Sequence, residues 1–343
     1  MSVTAPALGR GRQLVEPALR EAVARLDDDT RLVASYHLGW CRQDGREVTA
    51  PCGKGVRPSL VLMAGEALGA LAEDLVPGAV AVELVHNFSL IHDDLMDRDT
   101  ERHHRPTVWS VWGDAMAVLV GDALLSLAHE VLDDSGSAYA VPASRALGRA
   151  TRELIRGQVL DVAFESRNDV SLAECLDMAA GKTGALMGVS AELGAVLAGA
   201  PAGAVAALRR YGEQVGLAFQ LVDDLLGIWG WPERTGKPVF SDLRSRKKTM
   251  PVVWAVHHGG APGRELARWL AGSDEPDELA LRRAADLVER AGGRAWAQRE
   301  ARARIDCAIE AIEAIDAIDG LGLDPAHRSE LAHLATFVVE RDL

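Results

Sequence analysis

The sequence predicts an all-α protein, and three observations carry that prediction. Long Ala-, Leu- and Val-rich stretches at 60–72, 114–133, 146–166 and 185–200 place apolar residues three and four apart. Runs in which β-branched residues alternate with polar ones are few. Glycine and proline gather between the stretches, at Pro77-Gly78, Pro201, Gly259-Gly260 with Pro262, Pro276 and Leu321-Gly322. No Ser/Gly linker, shift of composition or repeat of 20–50 residues divides the chain. Residues 1–343 therefore read as one helical domain, with a short mobile N-terminal segment at 1–14. Two polar interruptions, near 97–107 and 228–251, are long for connections inside a helical domain, and loops of that length tend to be functional.

Composition excludes several classes of function. With 48% hydrophobic and 25% charged residues, the 343-residue chain has ample material for a core. A net charge of −13 and a pI near 5.3 argue against nucleic acid as a partner, because a phosphate backbone recruits basic faces. No run reaches the roughly 18 apolar residues of a membrane span, and no signal-peptide core opens the chain. The four cysteines (Cys41, Cys52, Cys175, Cys307) form no C-x-x-C pair, so neither a thiolate zinc site nor a disulfide framework is indicated. The expectation is a cytoplasmic protein without an integral membrane segment.

Lysine is used sparingly. Of 37 basic residues only five are lysines, Lys54, Lys182, Lys237, Lys247 and Lys248. A chain that uses arginine for most cations keeps lysine where a compact ammonium is wanted, as against phosphate. Lys54, Lys182 and Lys237 each follow a glycine.

The helices that precede the two interruptions share a plan. In 80–97, Leu84, Phe88, Ile91 and Leu95 form an apolar stripe, while His86, Asp93 and Asp97 share a different face. In 215–226, an apolar run leads into Asp223-Asp224. Asp93 and Asp97 stand one turn apart, about 5.4 Å along the axis, and like charges so placed repel unless a cation lies between them. Hard oxygen ligands with no imidazole or thiolate cluster favour Mg²⁺, completed by water and substrate phosphate. His92 points off this face. Acids for a metal, ammoniums for a diphosphate and an apolar helix face leading away suit an apolar chain with a diphosphate head. Loss of that head needs its charge neutralised, and water must be kept from the carbocation left behind. Competing motifs fail. Ala180-Gly181-Lys182-Thr183 ends like a phosphate-binding loop, but Leu176 occupies the place of its first glycine.

These segments resemble the trans-isoprenyl diphosphate synthase (polyprenyl synthetase) family over most of the chain. The resemblance rests on GKGVRP at 53–58, HNFSLIHDDLMD at 86–97, RHHRPT at 102–107, GDALL at 121–125 and GQVLD at 157–161. It continues through GKTGAL at 181–186, FQLVDDLLG at 219–227, TGKP at 235–238 and SDLRSRKKTMP at 241–251. It implies the isoprenoid synthase type I fold, a helical bundle around a deep central cavity, usually homodimeric, with two aspartate-rich motifs facing each other over Mg²⁺. It assigns Asp93, Asp97 and Asp223 to Mg²⁺, three ions with diphosphate bound, and Asp94 and Asp224 to their support. Arg102, Lys182 and Lys237 resemble the cations that contact the allylic diphosphate. Lys54, Arg57 and His86 resemble the pocket for isopentenyl diphosphate, with His103 at its edge. Thr183 and Gln220 match positions lining the reacting carbons, and Lys247 a lysine of the loop that closes over the site, with Lys248 beside it.

Three departures stand out. Arg102-His103 replaces two adjacent arginines, Gly227 replaces the last aspartate of the second motif, and Trp231 stands where an aspartate commonly follows Gly230. In the family, product length follows bulk beneath the first motif. Ser89, four residues before Asp93, leaves one turn open, and Phe88 marks the floor; the pattern resembles synthases that stop at C20, geranylgeranyl diphosphate. If Phe88 is only core, Val85 lies deeper and C25 or longer follows. A farnesyl diphosphate synthase, a class I terpene cyclase and a weakly active regulatory subunit remain open. Lys54, Arg57 and His86 speak against the cyclase, and the intact DDLMD against the subunit.

Overall fold

Helix follows helix along the computed structural model, which describes residues 4–48, 55–230, 239–272, 274–318 and 321–340. The order opens with α1 (Thr4–Val23), α2 (Asp28–His37), α3 (Val56–Glu66) and α4 (Ala72–Met96). A short ribbon of β1 (Glu101–Arg102) and β2 (Arg105–Pro106) precedes α5 (Val108–Trp112), α6 (Asp114–Asp133) and α7 (Ala140–Glu165). Then come α8 (Leu172–Ala179), a π turn (Ala180–Gly184), α9 (Ala185–Leu197) and α10 (Ala202–Trp229). The C-terminal part holds α11 (Ser241–Arg244), α12 (Met250–His258), α13 (Gly260–Leu270), α14 (Glu278–Arg290), α15 (Gly293–Glu313) and α16 (Pro325–Glu340). Within the 1–14 segment, residues from Thr4 onward are helical, and Arg10 donates two hydrogen bonds to Glu66, of 2.8 and 2.5 Å.

The chain's contacts cluster into two units. Unit 1 comprises 1–151, 186–212 and 311–334; unit 2 comprises 152–185, 213–310 and 335–343. Unit 1 is built around α3, α4 and α6. Leu60 to Ala64, Leu75, Ala79 to Val82, Leu84, Val85, Leu124 and Leu127 are buried in it. Tyr211 is fully buried in the same unit, its hydroxyl donating to the Leu331 carbonyl at 2.7 Å. Unit 2 has its own core, in which Ile228, Leu243, Val252, Leu266, Leu281 and Val288 pack with Trp229, Phe240 and Trp269 against them.

Two expectations need correction. The break placed at Pro77-Gly78 does not occur: α4 runs through Pro77, and the chain turns earlier, at Gly69. There Gly69 N–H bonds Glu66 O and Ala70 N–H bonds Gly65 O, with Gly69 at φ +85°, a left-handed helix stop that glycine adopts readily. Pro77 removes one hydrogen bond near the start of α4, at a cost of about 3 kcal/mol in a helix interior. Burial of Leu75, Val80, Val82, Leu84 and Val85 outweighs it, each such side chain contributing roughly 1.5–3 kcal/mol. The second correction concerns length. By length and composition alone, α4 and α6 could each cross a membrane. In this fold α4 packs as a core helix of unit 1, with 61% of its apolar window buried, and α6 lies along it with 39% buried and the rest of its apolar residues facing outward.

Candidate active site

In unit 1 the first acidic motif ends α4. Asp93 and Asp94 lie in its last turn and Asp97 caps it. Carboxylates at a helix C-terminus meet the negative end of the dipole, so this arrangement is uphill without a cation. Arg102, on β1, supplies one. Its Nε donates to Asp94 Oδ1 at 2.7 Å, and its Nη2 lies 2.7 Å from the same oxygen and 3.9 Å from Asp93 Oδ2. Burial pushes the Asp94 carboxyl up, and Arg102 pulls it only part of the way back. Asp94 Oδ2 is buried with no hydrogen-bond partner among the described residues.

One turn and more up α4, Asp94 and Arg102 line a cavity of about 440 Å³ together with His86, Asn87, Glu83 and His103. His37 and Arg105 reach it from α2 and β2. Arg57, in the first turn of α3, donates from Nη1 to His86 Nε2 at 3.1 Å, so the imidazole accepts there and carries its proton on Nδ1. Burial, followed by the charge of Arg57, drives His86 well below its ordinary value; burial, then Arg102, takes His37 to about 3. Both rings are therefore neutral at physiological pH. Glu83, pushed up by burial, accepts from Asn87 Nδ2 at 3.3 Å. Arg57 Nε is buried and unpartnered among the described residues. The cavity thus sets three guanidiniums, Arg12, Arg102 and Arg105, and neutral imidazole donors beside three carboxylates, Glu16, Glu83 and Asp94, of which burial pushes Glu83 and Asp94 toward the neutral form, and this balance suits a bound anion.

Phe88 is 5% exposed and meets His92 edge-on at 4.9 Å. Ser89 Oγ donates to His86 O at 2.7 Å. His92 bonds the Val118 carbonyl, consistent with its exclusion from the acidic face.

In unit 2 the site grows from two glycine-bearing segments. At Gly157 of α7 and Gly181 of the π turn the backbones pass so closely that a Cβ on Gly181 would lie 3.0 Å from Gly157 Cα. That approach brings Asp161, one turn beyond Gly157, to Lys182: Nζ to Oδ2 is 2.6 Å, and Lys247 Nζ stands 3.6 Å from the same oxygen. Burial raises the Asp161 carboxyl, but Lys247 and Lys182 together pull it below the ordinary carboxylate range. π turns inside α-helices often mark functional positions. Here the turn also carries Thr183, whose hydroxyl donates to Gln220 Oε1 at 2.6 Å. Gln220 Nε2 donates to Asp224 Oδ1 at 2.8 Å, and the Met250 N–H donates to Asp224 Oδ2 at 2.9 Å. Asp224 is buried, which pushes its carboxyl up to about 7, while Asp223 beside it is exposed. The pair divides, with Asp224 tied into the scaffold and Asp223 presented outward.

Gly227 has a structural counterpart. A Cβ there would collide with the carboxylate of Asp242 from α11, whose Oδ1 would be only 2.7 Å away. An acid therefore stands where the second motif lacks its last aspartate, delivered from another element. Lys54, Lys237 and Trp231 lie outside the described residues. Sequence reasoning assigned no role to His37, Glu83, Asn87, Arg105, Asp161 or Asp242. Glu83 and Asn87 share the α4 face of His86 and could have been found by extending it; His37 carries no local signal.

Among the described residues no three acidic, imidazole or thiol side chains converge enough to hold a metal unaided. The donors nevertheless suit Mg²⁺, which takes one or two carboxylates and leaves its remaining positions to water and phosphate. The unsatisfied Asp94 Oδ2 is such a donor.

An all-α isoprenoid synthase fold that carries two acidic helix segments, each with nearby cations, defines a chain-elongating trans-prenyltransferase. The chain belongs to the polyprenyl synthetase family, whose model matches residues 39–288. It is 57% identical over 341 residues to the (2E,6E)-farnesyl diphosphate synthase of Mycobacterium tuberculosis H37Rv, covering 98% of this chain and 93% of the relative. It is 44% identical over 305 residues to a geranylgeranyl diphosphate synthase of the same organism, covering 89% and 87%. Among solved structures, a polyprenyl synthetase from Streptomyces coelicolor A3(2) superposes with a TM-score of 0.92 at 48% identity, covering 98% and 99%.

Proposed function

We propose that the chain condenses isopentenyl diphosphate with allylic diphosphates and stops at C20, geranylgeranyl diphosphate. The observation that carries elongation over cyclisation is the cation-lined cavity of unit 1, since a cyclase has no second diphosphate to hold. In the reaction, the allylic C–O bond breaks and its electron pair leaves with the diphosphate. The isopentenyl double bond attacks the carbon so exposed, and a proton then passes to the released diphosphate as the new double bond forms.

Arg57 and His86, with Lys54 and His103, bind the isopentenyl diphosphate. Arg102, Lys182, Lys237 and Lys247 bind the allylic diphosphate. Because Thr183 has committed its proton to Gln220, its remaining lone pairs suit a neighbouring positive carbon. Prenyl diphosphate synthases generally use Mg²⁺; here Asp93, Asp97 and Asp223, backed by Asp94 and Asp224, would hold three ions that neutralise the leaving charge.

Phe88 and Ser89 set the product. Removing the buried Phe88 ring opens another turn of α4, so Phe88→Ala should lengthen the product by about one isoprene unit per 5.4 Å of helix. Chromatography of the products made from isopentenyl and farnesyl diphosphates checks this, and an unchanged C20 product would place the floor elsewhere. A farnesyl (C15) product is the second reading, favoured by the name of the 57% identical relatives. Failure of the wild type to extend farnesyl diphosphate would select it. We further propose a cytoplasmic homodimer. Val118 and Leu119 on α6 are 41% and 62% exposed and form part of an apolar outer face suited to a second copy, and light scattering would measure the mass.

A further inference from the structure

The ribbon that closes the unit 1 cavity puts a second guanidinium beside Arg102. Its register pairs Arg102 with Arg105 across a two-residue loop, His103-His104. Residues so paired in a hairpin share a face, and like charges directly opposite one another destabilise it. Both side chains line the cavity. Arg102 is compensated by Asp94, 2.7 Å away. Arg105 has no carboxylate partner among the described residues: its Nη2 donates to the Cys41 carbonyl at 2.7 Å, and its guanidinium lies over the Tyr36 ring, 4.3 Å from the centroid. Tyr36 is itself fixed, donating to the Pro106 carbonyl at 2.8 Å. The arginine is thus held in place, half-buried, beside another arginine and without a counter-ion. Meanwhile His103 sits exposed at the loop tip with φ +50°.

We propose that Arg105 supplies a second guanidinium contact to the isopentenyl diphosphate, in place of the arginine that His103 replaces. This rests on the reading of the unit 1 cavity as the isopentenyl diphosphate pocket. The shared ribbon face carries the argument: Arg105 faces the cavity beside Arg102, which is committed to Asp94 and the allylic diphosphate, so Arg105 can join Arg57 on the isopentenyl diphosphate, whose charge offsets the repulsion between the two ribbon arginines. Loss of a charge-assisted hydrogen bond should cost about tenfold or more in affinity.

The test combines Arg105→Gln, His103→Arg and the double variant. Arg105→Gln should raise the KM for isopentenyl diphosphate about tenfold, leave the KM for the allylic substrate unchanged and keep kcat within about threefold. Calorimetric titration with inorganic pyrophosphate, without Mg²⁺, should show the same loss. His103→Arg in the Arg105→Gln background should recover most of the affinity, which a purely structural role for Arg105 over Tyr36 would not allow. A KM change below twofold, a fall in kcat alone, or no rescue by the double variant would overturn the assignment. Were the wild type to bind pyrophosphate with this dependence yet fail to condense isopentenyl diphosphate, the proposed reaction would fall and the role of Arg105 would stand.

Discussion

The two units handle charge in opposite ways. In unit 1 the site leaves polar atoms unmatched: Asp94 Oδ2 and Arg57 Nε are buried without partners, and Arg105 has no counter-ion among the described residues. In unit 2 the site's two described lysines and its buried aspartates are closed on themselves, with Asp223 alone of the acidic pair turned outward. Lys182 and Lys247 both rest on Asp161, and Asp224 accepts from Gln220 and from the Met250 amide. Unsatisfied buried groups are costly, and here the Arg57 N–H suits an anion and the Asp94 oxygen a cation. Paired groups cost little, but a phosphate reaching Lys182 must compete with Asp161. On the proposed function, unit 1 is preformed for its ligand, while unit 2 would exchange an internal anion for its own.

The largest effect that bears on this contrast comes from the acids. Asp93→Ala should lower kcat by about 10³-fold or more, as loss of charge stabilisation in a transition state does. Pyrophosphate binding measured without Mg²⁺ should hardly change, since the cavity's cations remain. Near-native turnover in steady-state assays would remove Asp93 from the metal assignment.

Gly227→Asp is the corresponding probe of unit 2. It restores the aspartate that the second motif lacks, yet it should impair the enzyme. The new Cβ meets the Asp242 carboxylate and adds charge beside Asp223 and Asp224. Overpacking of this kind costs about 1–3 kcal/mol, so the melting temperature should fall and kcat with it. Adding Asp242→Gly should restore both. A single variant as stable and active as the wild type would show that the two positions do not compete for one place.

The outcome at Gly227 shows what a sequence can disclose. Helical periodicity located α6 to the residue and the acidic end of α4, because burial of one face writes itself into spacing. Asp223 and Asp224, which read as a helix end, lie inside α10, whose apolar face continues to Trp229. Pro77 misled because local propensity lost to the burial of α4. Arg105, Asp242, Asp161 and His37 were not legible as partners, since each meets its site through tertiary contact with residues up to dozens of positions away. Nothing local to Gly227 says that an acid fifteen residues later fills its space.

A smaller effect separates the units by pH. His37 is enclosed in the unit 1 cavity and its folded value, about 3, lies below the unfolded value near 6.5. Between those values the unfolded chain binds more protons than the folded one. The contribution of His37 is therefore complete above pH 6.5 and is lost as pH falls through that window. One such group changes stability by at most about 1.4 kcal/mol per pH unit. His37→Gln should flatten the acid limb of stability by up to that slope. Urea midpoints at pH 7, 5.5 and 4.5 measure it, and parallel curves for the two proteins would show that His37 is not held neutral.

The smallest effect lies at the tip of the ribbon. His103 and His104 both have positive φ, +50° and +60°, as a two-residue hairpin loop of this hand requires. Glycine adopts that region without the Cβ clash that other residues suffer there. His104→Gly should therefore relieve strain, offset in part by the greater freedom of glycine in the unfolded chain, for a net gain of about 0.5 kcal/mol. His104 Nδ1 also stands 3.6 Å from Glu101, but both side chains are mostly exposed, and such pairs contribute about 0–1 kcal/mol. The KM for isopentenyl diphosphate should stay unchanged, because Arg102 and Arg105 keep their register. Paired melting curves of the variant and the wild type check the first point. A rise in KM alongside a higher melting temperature would mean that the strained loop, and not the ribbon face, positions the two arginines.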